Sequence, residues 1–260
     1  MTIRVVVHGA AGRMGQEMIN GLCREPGIQV VGAVDVKGDR DSLPLPDGSG
    51  TVPFSSSIED ILASTLPGVV VDFSLARATL PAVRVAAARG VNMVIGTTGL
   101  SQADLDEISR QAESHKVGIV AASNFALGAV LMMHLARIAA RYMDYAEIIE
   151  LHHHLKADAP SGTALTTARS MVQSRGKAFA HPAGQGPARG QEVDGVSIHS
   201  VRLPGLMAHQ EVLLGAAGQT LSIRHDTINR ECYLPGVVLA VKQVGGRQGF
   251  TYGLDALLGL

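Results

Sequence analysis

Two short segments of this chain combine residue types that can do chemistry. The first runs Glu150-Leu151-His152-His153-His154-Leu155-Lys156-Ala157-Asp158-Ala159-Pro160-Ser161-Gly162-Thr163-Ala164. Histidine exchanges a proton near neutral pH, and Lys156 adds a positive charge and a second acid. Ser161 is suited to cap a helix, so Gly162 and Thr163 would present free backbone amides at its N-terminus, a natural seat for a carboxylate. Together these features predict a small anionic substrate, held by cations and amides, with a histidine near the reacting atoms. Three adjacent histidines also suggest a metal. Adjacent side chains diverge, however, and no second histidine cluster or cysteine pair stands at ligand spacing, so no metal is expected.

The second segment is Gly9-Ala10-Ala11-Gly12-Arg13-Met14-Gly15, directly after Ile3-Arg4-Val5-Val6-Val7. Glycines spaced by three let the backbone turn sharply and approach a pyrophosphate with no Cβ in the way, and the start of the next helix then holds the phosphate charge. Arg13 can add a cationic contact. Asp35, at the end of the second predicted strand, stands about where the adenosine ribose of a dinucleotide needs an acceptor. Its carboxylate favours NADH by repelling a 2′-phosphate, while Lys37 keeps NADPH open. Two further loops, Gly96-Thr97-Thr98-Gly99 and Ala122-Ser123-Asn124-Phe125, each follow a predicted parallel strand. In an open α/β sheet that places them on the ligand side. A dinucleotide, an anion seat and an acid together mean hydride transfer with proton delivery.

These residues need a scaffold, and the chain alternates accordingly. Strands are expected over Ile3–Val7, Ile28–Val34, Val69–Phe73, Val91–Ile95 and Val117–Ala121, with helices over Met14–Cys23, Leu80–Arg89 and Gln102–Ser114 between them. Lys37–Ser57, rich in Gly, Pro, Ser and Asp, reads as loop. Such alternation implies a parallel sheet with crossover helices. The rhythm changes near Asn124: a long apolar helix over Gly128–Tyr142, a strand over Ala146–Leu151 and a helix over Ser161–Ser174. A Gly- and Pro-rich loop follows over Gly176–Gly195. Strands at Ser197–Leu203, Glu211–Leu214 and Leu221–His225 then look like a meander. The expected class is α/β, a Rossmann-type parallel sheet domain plus a smaller mixed α/β domain with an open mixed sheet.

Composition narrows the function classes. In 260 residues, 46% are hydrophobic, 30 are glycine and none is tryptophan, which fits a compact aliphatic core and excludes disorder. A net charge of −1 removes the electrostatic case for nucleic acid as a partner. The longest apolar runs carry Asp72 or Arg137 and fall short of a membrane span. Two cysteines, Cys23 and Cys232, make no disulfide framework, and with no secretory leader a cytoplasmic protein is expected.

Over nearly its whole length the sequence resembles the 4-hydroxy-tetrahydrodipicolinate reductase (dihydrodipicolinate reductase) family of diaminopimelate and lysine biosynthesis. The carriers are GAAGRMG at Gly9–Gly15, GTTG at Gly96–Gly99, SNF at Ser123–Phe125 and ELHHHLKADAPSGTA at Glu150–Ala164, with Arg224-His225-Asp226 and Arg230-Glu231-Cys232-Tyr233 beyond. The resemblance implies reduction of 4-hydroxy-tetrahydrodipicolinate to tetrahydrodipicolinate, with loss of water, by NADH or NADPH. It assigns proton transfer to His152, a second catalytic role to Lys156, and the substrate carboxylates to His153, Gly162 and Thr163. The cofactor falls to Gly9, Ala10, Ala11, Gly12, Arg13, Met14, Asp35, Gly96, Thr97, Thr98, Ala122, Ser123, Asn124, Phe125, Arg230 and Tyr233. His154 receives no role. It further implies a homotetramer, with residues 1–124 as the dinucleotide domain, completed by 230–260, and residues 125–229 as the substrate and oligomerisation domain. Val36 stands where some relatives carry an arginine, and Phe73-Ser74-Leu75-Ala76-Arg77 replaces the family's usual Phe-Thr-x-Pro-Glu stretch. If the strand over Ala146–Leu151 continued, His152 and His153 would point to opposite faces. The chain must therefore bend there for both to reach one ligand.

Overall fold

A computed structural model of the chain describes residues 2–37, 41–180 and 186–260. It divides into two units, Met1–Leu127 with Arg230–Leu260, and Gly128–Asn229.

The first unit is built on β-branched runs that bury both faces. β1 (Ile3–His8) has Val5, Val6 and Val7 wholly buried, and β2 (Ile28–Val34), β5 (Val69–Asp72), β6 (Asn92–Ile95) and β7 (Gly118–Ala121) repeat the pattern. Burying each such valine contributes roughly 1.5–3 kcal/mol before the entropy of ordering it is counted. Helices α1 (Arg13–Leu22), α2 (Ile58–Thr65), α3 (Ala76–Ala88) and α4 (Gln102–His115) connect the strands. The sheet has eight strands, with short β3 (Ser42–Pro44) and β4 (Thr51–Ser55) at one edge and β13 (Gly249–Tyr252) at the other. Its order is β13-β7-β6-β5-β1-β2-β4-β3, parallel throughout except for the β3–β4 pair. The direction of winding reverses between β1 and β5, the switch point at which open α/β sheets bind ligands beyond their strand ends.

The second unit carries a five-stranded mixed sheet in the order β12-β11-β8-β10-β9. Its strands are β8 (Tyr145–His152), β9 (Gln191–Val193), β10 (Val196–Arg202), β11 (Ala208–Ala216) and β12 (Gln219–Thr227). β8 lies at the centre, parallel to β10 and antiparallel to β11. One face packs Ala146, Ile148, Val196, Ile198, Val212 and Leu214 against α5 (Leu127–Ala139) and α6 (Gly162–Arg175), through Met132, Ala136, Ala168 and Met171.

The fold class agrees with the sequence reading; four local expectations do not. The expected loop Gly176–Gly195 holds the 3-10 turn Pro187–Arg189 and the edge strand β9, which pairs antiparallel with β10. Lys37–Ser57 holds β3 and β4, because Val52 and Phe54 alternate inward at period two among the Gly and Pro residues that mask them. Helix α2, capped by the Ser57 side chain on the Asp60 amide, follows where no helix was expected. The expected meander is only a β11–β12 hairpin: α6 forms a crossover that brings β10 alongside β8, which separates β10 from β11. Residues 38–40 and 181–185 of the two expected loops lie outside the described residues.

Candidate active site

In the first unit, the loops after β1, β2, β5, β6 and β7 gather at the carboxyl ends of the strands. Gly9 has φ +82°, and a Cβ there would stand 2.5 Å from the Phe73 carbonyl oxygen. A Cβ on Gly15 would stand 2.1 Å from the Gly9 oxygen. Neither position admits a side chain. Ala10 is buried, Arg13 is exposed and Met14 is half-buried. No side chain caps α1, which starts after Gly12, and its first turn carries no acidic residue. Asp35 accepts from the Ala11 amide through Oδ2 and from the Lys37 amide through Oδ1, both at 3.0 Å. Beside this turn, a cleft of about 450 Å³ is lined by Ala10, Ala11, Gln16, Asn20 and Lys37 among others.

A residue without a role in the sequence reading organises the neighbouring loops. Asp72 is fully buried at the end of β5. Its carboxylate accepts from Thr79 Oγ1 at 2.6 Å, Thr97 Oγ1 at 3.1 Å and the Ser74 amide at 3.2 Å. His8 Nδ1 lies 2.9 Å from Oδ1 but out of hydrogen-bond alignment. Burial opposes ionisation of Asp72, yet His8, Ser74 and Thr79 hold the carboxyl below its ordinary value. Thr97 therefore turns its hydroxyl inward, while Thr98 is exposed. Gly96 is required by packing, since a Cβ would meet the Phe73 ring at 2.2 Å. Phe73 in turn lies against Phe125, with ring centroids 6.1 Å apart.

Ala122 and Phe125 are buried, Asn124 is half-buried with Oδ1 accepting from the Ala126 amide at 2.8 Å, and Ser123 is exposed. A Cβ on Gly236 of α7 (Leu234–Val244) would stand 2.1 Å from the Phe125 carbonyl oxygen, and the short 3-10 turn Arg230–Tyr233 leads into that helix. Arg230 and Tyr233 are half-buried, and burial pushes the Tyr233 phenol up. The uncapped N-terminus of α1 and the Cβ-free turn fit the pyrophosphate of a dinucleotide, and Asp35 fits its ribose.

In the second unit the histidine segment straddles a strand end. β8 stops at His152, the Lys156 amide bonds the His153 carbonyl at 3.1 Å, and His153 and His154 are exposed in that turn. The bend thus comes directly after His152. Lys156 Nζ donates to both carboxylate oxygens of Asp158 at 2.7 Å, holding that carboxyl below its ordinary value. Ser161 Oγ caps α6 by accepting from the Ala164 amide at 3.2 Å. The Gly162 and Thr163 amides precede the first intrahelical partner and lie outside the cap's reach. Thr163 is tied down through its carbonyl, which accepts from Thr167 Oγ1 at 2.8 Å; that hydroxyl accepts from Gln210 Nε2 at 2.8 Å.

Beneath His152 lies Glu150, also without a role in the sequence reading. At period two on β8 the two residues share a face, and Glu150 is fully buried. Its Oε2 lies 2.5 Å from His152 Nδ1. Arg202 of β10 clamps both oxygens, Nη1 to Oε2 at 2.8 Å and Nη2 to Oε1 at 2.7 Å, and the Ser161 amide donates to Oε1 at 3.2 Å. Burial works against the charge, but bonds from His152, Arg202 and Ser200 outweigh it and push the carboxyl down to about 2. Arg202 Nη2 also reaches the Asp158 carbonyl at 2.7 Å. The signal that could have found Glu150 is a carboxylate on the inward phase of β8, in line with Ala146 and Ile148 and two residues before the proposed acid, whereas Glu147 lies on the other phase. Among the described residues no three His, Cys, Asp or Glu side chains converge as a metal site.

Fold and residues define the class: an oxidoreductase with a Rossmann-type sheet and a second, mixed α/β unit. The chain belongs to the dihydrodipicolinate reductase family, whose N-terminal model matches residues 3–125 and whose C-terminal model matches residues 128–258. A 4-hydroxy-tetrahydrodipicolinate reductase of Dehalococcoides mccartyi is 55% identical over 260 residues, covering 99% of each chain. The dipicolinate-bound dihydrodipicolinate reductase of Paenisporosarcina sp. TG-14 superposes with a TM-score of 0.88 at 37% identity, covering 98% of this chain and 99% of that one. An amine dehydrogenase of Mycobacterium smegmatis, at a TM-score of 0.69, 17% identity and coverage of 98% and 96%, shares the fold. The family implies a nicotinamide cofactor. Among the described residues, no helix is long and apolar enough to cross a membrane.

Proposed function

We propose that this chain reduces 4-hydroxy-tetrahydrodipicolinate to tetrahydrodipicolinate, with loss of the 4-hydroxyl as water, on the route to diaminopimelate and lysine. The observation that carries this reading is the segment from Glu150 to Thr163. One strand end, one turn and one helix start hold an imidazole, an ammonium and two unbonded amides in fixed relation.

A reduced nicotinamide, when bound, supplies the hydride. NADH and NADPH are both accepted, because Asp35 suits a free ribose while Lys37 lines the adjoining cleft. The Gly9–Met14 turn with Asp35 holds the adenosine half of the dinucleotide. Gly96, Thr97, Thr98, Ala122, Ser123, Asn124, Phe125, Arg230 and Tyr233 shape the rest of its seat. His152 moves the proton that the reduction requires, and Lys156 supplies positive charge to the same reacting atoms. His153 and the Gly162 and Thr163 amides hold the carboxylates of the dicarboxylate substrate. No resident metal takes part. The enzyme is cytoplasmic and works as a homotetramer. The exposed stripe of Leu131, Leu135 and Ile138 on α5 supports an apolar contact between copies.

The test is turnover by the purified protein with enzymatically generated hydroxy-tetrahydrodipicolinate and each reduced cofactor, followed by loss of nicotinamide absorbance. Wild-type protein should turn over, and His152→Gln should lower kcat by roughly 10²–10⁴-fold. Absence of wild-type turnover with both cofactors would overturn the reading.

A further inference from the structure

We infer that Glu150 is a positioning residue for this reaction: its buried carboxylate, clamped by Arg202, binds the Nδ1 proton of His152 and so presents Nε2 as the nitrogen that exchanges a proton with substrate. The inference rests on the reductase reading for its kinetics, though not for its geometry.

An ionised carboxylate only accepts hydrogen bonds, whereas a neutral imidazole has one donor nitrogen and one acceptor. Glu150 is kept ionised by two guanidinium bonds and by its contact with His152, in a place no water reaches. The nitrogen 2.5 Å from it must therefore carry the hydrogen, and in neutral His152 the free lone pair falls on Nε2. An orienting carboxylate behind a catalytic histidine works in this way on unrelated folds.

The same carboxylate holds two other parts of the site. Through Oε1 it receives the Ser161 amide at the start of α6, one residue before the proposed amide seat. Through Arg202 it reaches the Asp158 carbonyl, in the loop that carries Lys156. Imidazole, ammonium loop and helix start are thus referred to one buried ion pair. None of the solvent-exposed residues of the segment can provide that register.

Glu150→Gln separates positioning from bulk. The amide keeps the shape and can still accept from Arg202, but its NH₂ can be turned to His152 Nδ1, which then becomes the acceptor. The neutral tautomer should switch to Nε2–H. The measurement is ¹⁵N spectroscopy of histidine-labelled protein, with the His152 signals assigned by their absence in His152→Gln. Wild-type protein should show neutral His152 protonated on Nδ1, and Glu150→Gln should show it on Nε2. kcat should fall by about 10²–10⁴-fold in that variant, with KM within about threefold and NADH affinity unchanged. Glu150→Asp, which keeps the charge, should restore the wild-type tautomer and part of kcat. Neutral wild-type His152 protonated on Nε2 would overturn the inference with no variant needed, even if Glu150→Gln failed to fold. A variant that lost turnover with its tautomer unchanged, or that changed only KM, would also sink it. Wild-type protein that reduces no substrate yet shows the Nδ1–H tautomer would refute the reductase reading and leave the geometry standing.

Discussion

Replacing Gly15 by alanine would put a methyl group 2.1 Å from the Gly9 oxygen, 2.7 Å from the Gly9 carbonyl carbon and 2.8 Å from Ala10 Cα. All three neighbours are backbone, so no side chain can swing away. The first turn of α1 and the glycine turn must separate by about 1.3 Å to regain the 3.4 Å of ordinary contact. In an open helix the same change would stabilise by up to about 1 kcal/mol. Here overpacking of a rigid site should cost roughly 1–3 kcal/mol instead. A shift of that size also breaks any hydrogen bond between these amides and a pyrophosphate. Losing one charge-assisted bond costs roughly 1.5–3 kcal/mol, or at least about tenfold in affinity. Urea unfolding reads the first effect, and calorimetric titration with NADH and NADPH reads the second. Gly68→Ala is the control, because its Cβ would meet nothing nearer than the Arg4 oxygen at 3.9 Å. Wild-type stability together with wild-type affinity for both dinucleotides in Gly15→Ala would refute the close-approach account of this turn.

Asp35→Ala should weaken NADH by roughly 1.5–3 kcal/mol in a calorimetric titration and spare or improve NADPH; unchanged NADH affinity would remove Asp35 from the seat. Lys156→Ala should lower kcat while leaving NADH affinity intact, and the opposite pattern would displace it from the reacting atoms. In steady-state kinetics His153→Gln should mainly raise KM and His154→Gln should change little. A His154 variant as impaired as His152→Gln would reverse the assignment. Glu150 should make stability acid-sensitive, because its folded-state value of about 2 lies below its ordinary 4.5. Its contribution, roughly 3 kcal/mol, is complete above the ordinary value and is lost as pH falls toward 2. Urea unfolding across that window should show a steeper loss for wild-type protein than for Glu150→Gln, and parallel losses would contradict the ion pair.

Much of the frame was legible because it is written in local chemistry. The valine runs of β1 and β5 announce buried parallel strands, and Gly9 to Gly15 announces a turn that no side chain can enter. Ser161 announces a helix start. What stayed hidden depends on partners distant along the chain. Glu150 is one of two acids in β8, and its role is invisible until Arg202, 52 positions later, arrives beside it on β10. Asp72 looks like an interruption of Val69–Phe73 until Thr97, 25 positions on, closes over it. β3 and β4 were obscured for another reason: their prolines, with Gly48 and Gly50 between the strands, carry a turn signal stronger than the short alternation of Val52 and Phe54. The class of fold could be read from periodicity, but the roles of the buried carboxylates Asp72 and Glu150, each within its own unit, could not.

The edge strand β13 has a consequence for how the protein is made. It pairs in parallel with β7, from Gly249 opposite Gly118 to Tyr252 opposite Ala121, across more than a hundred residues of intervening chain that form a separate unit. On the ribosome, the first 127 residues emerge with β7 as an open, hydrophobic sheet edge and must wait for the whole inserted unit to be synthesised before that edge is covered. An uncovered parallel edge is an invitation to pair with another nascent chain. Termination between Ala121 and Gly249 would therefore leave a seven-stranded sheet with β7 as its uncovered edge. Synthesis through Tyr252 becomes the condition for covering that edge.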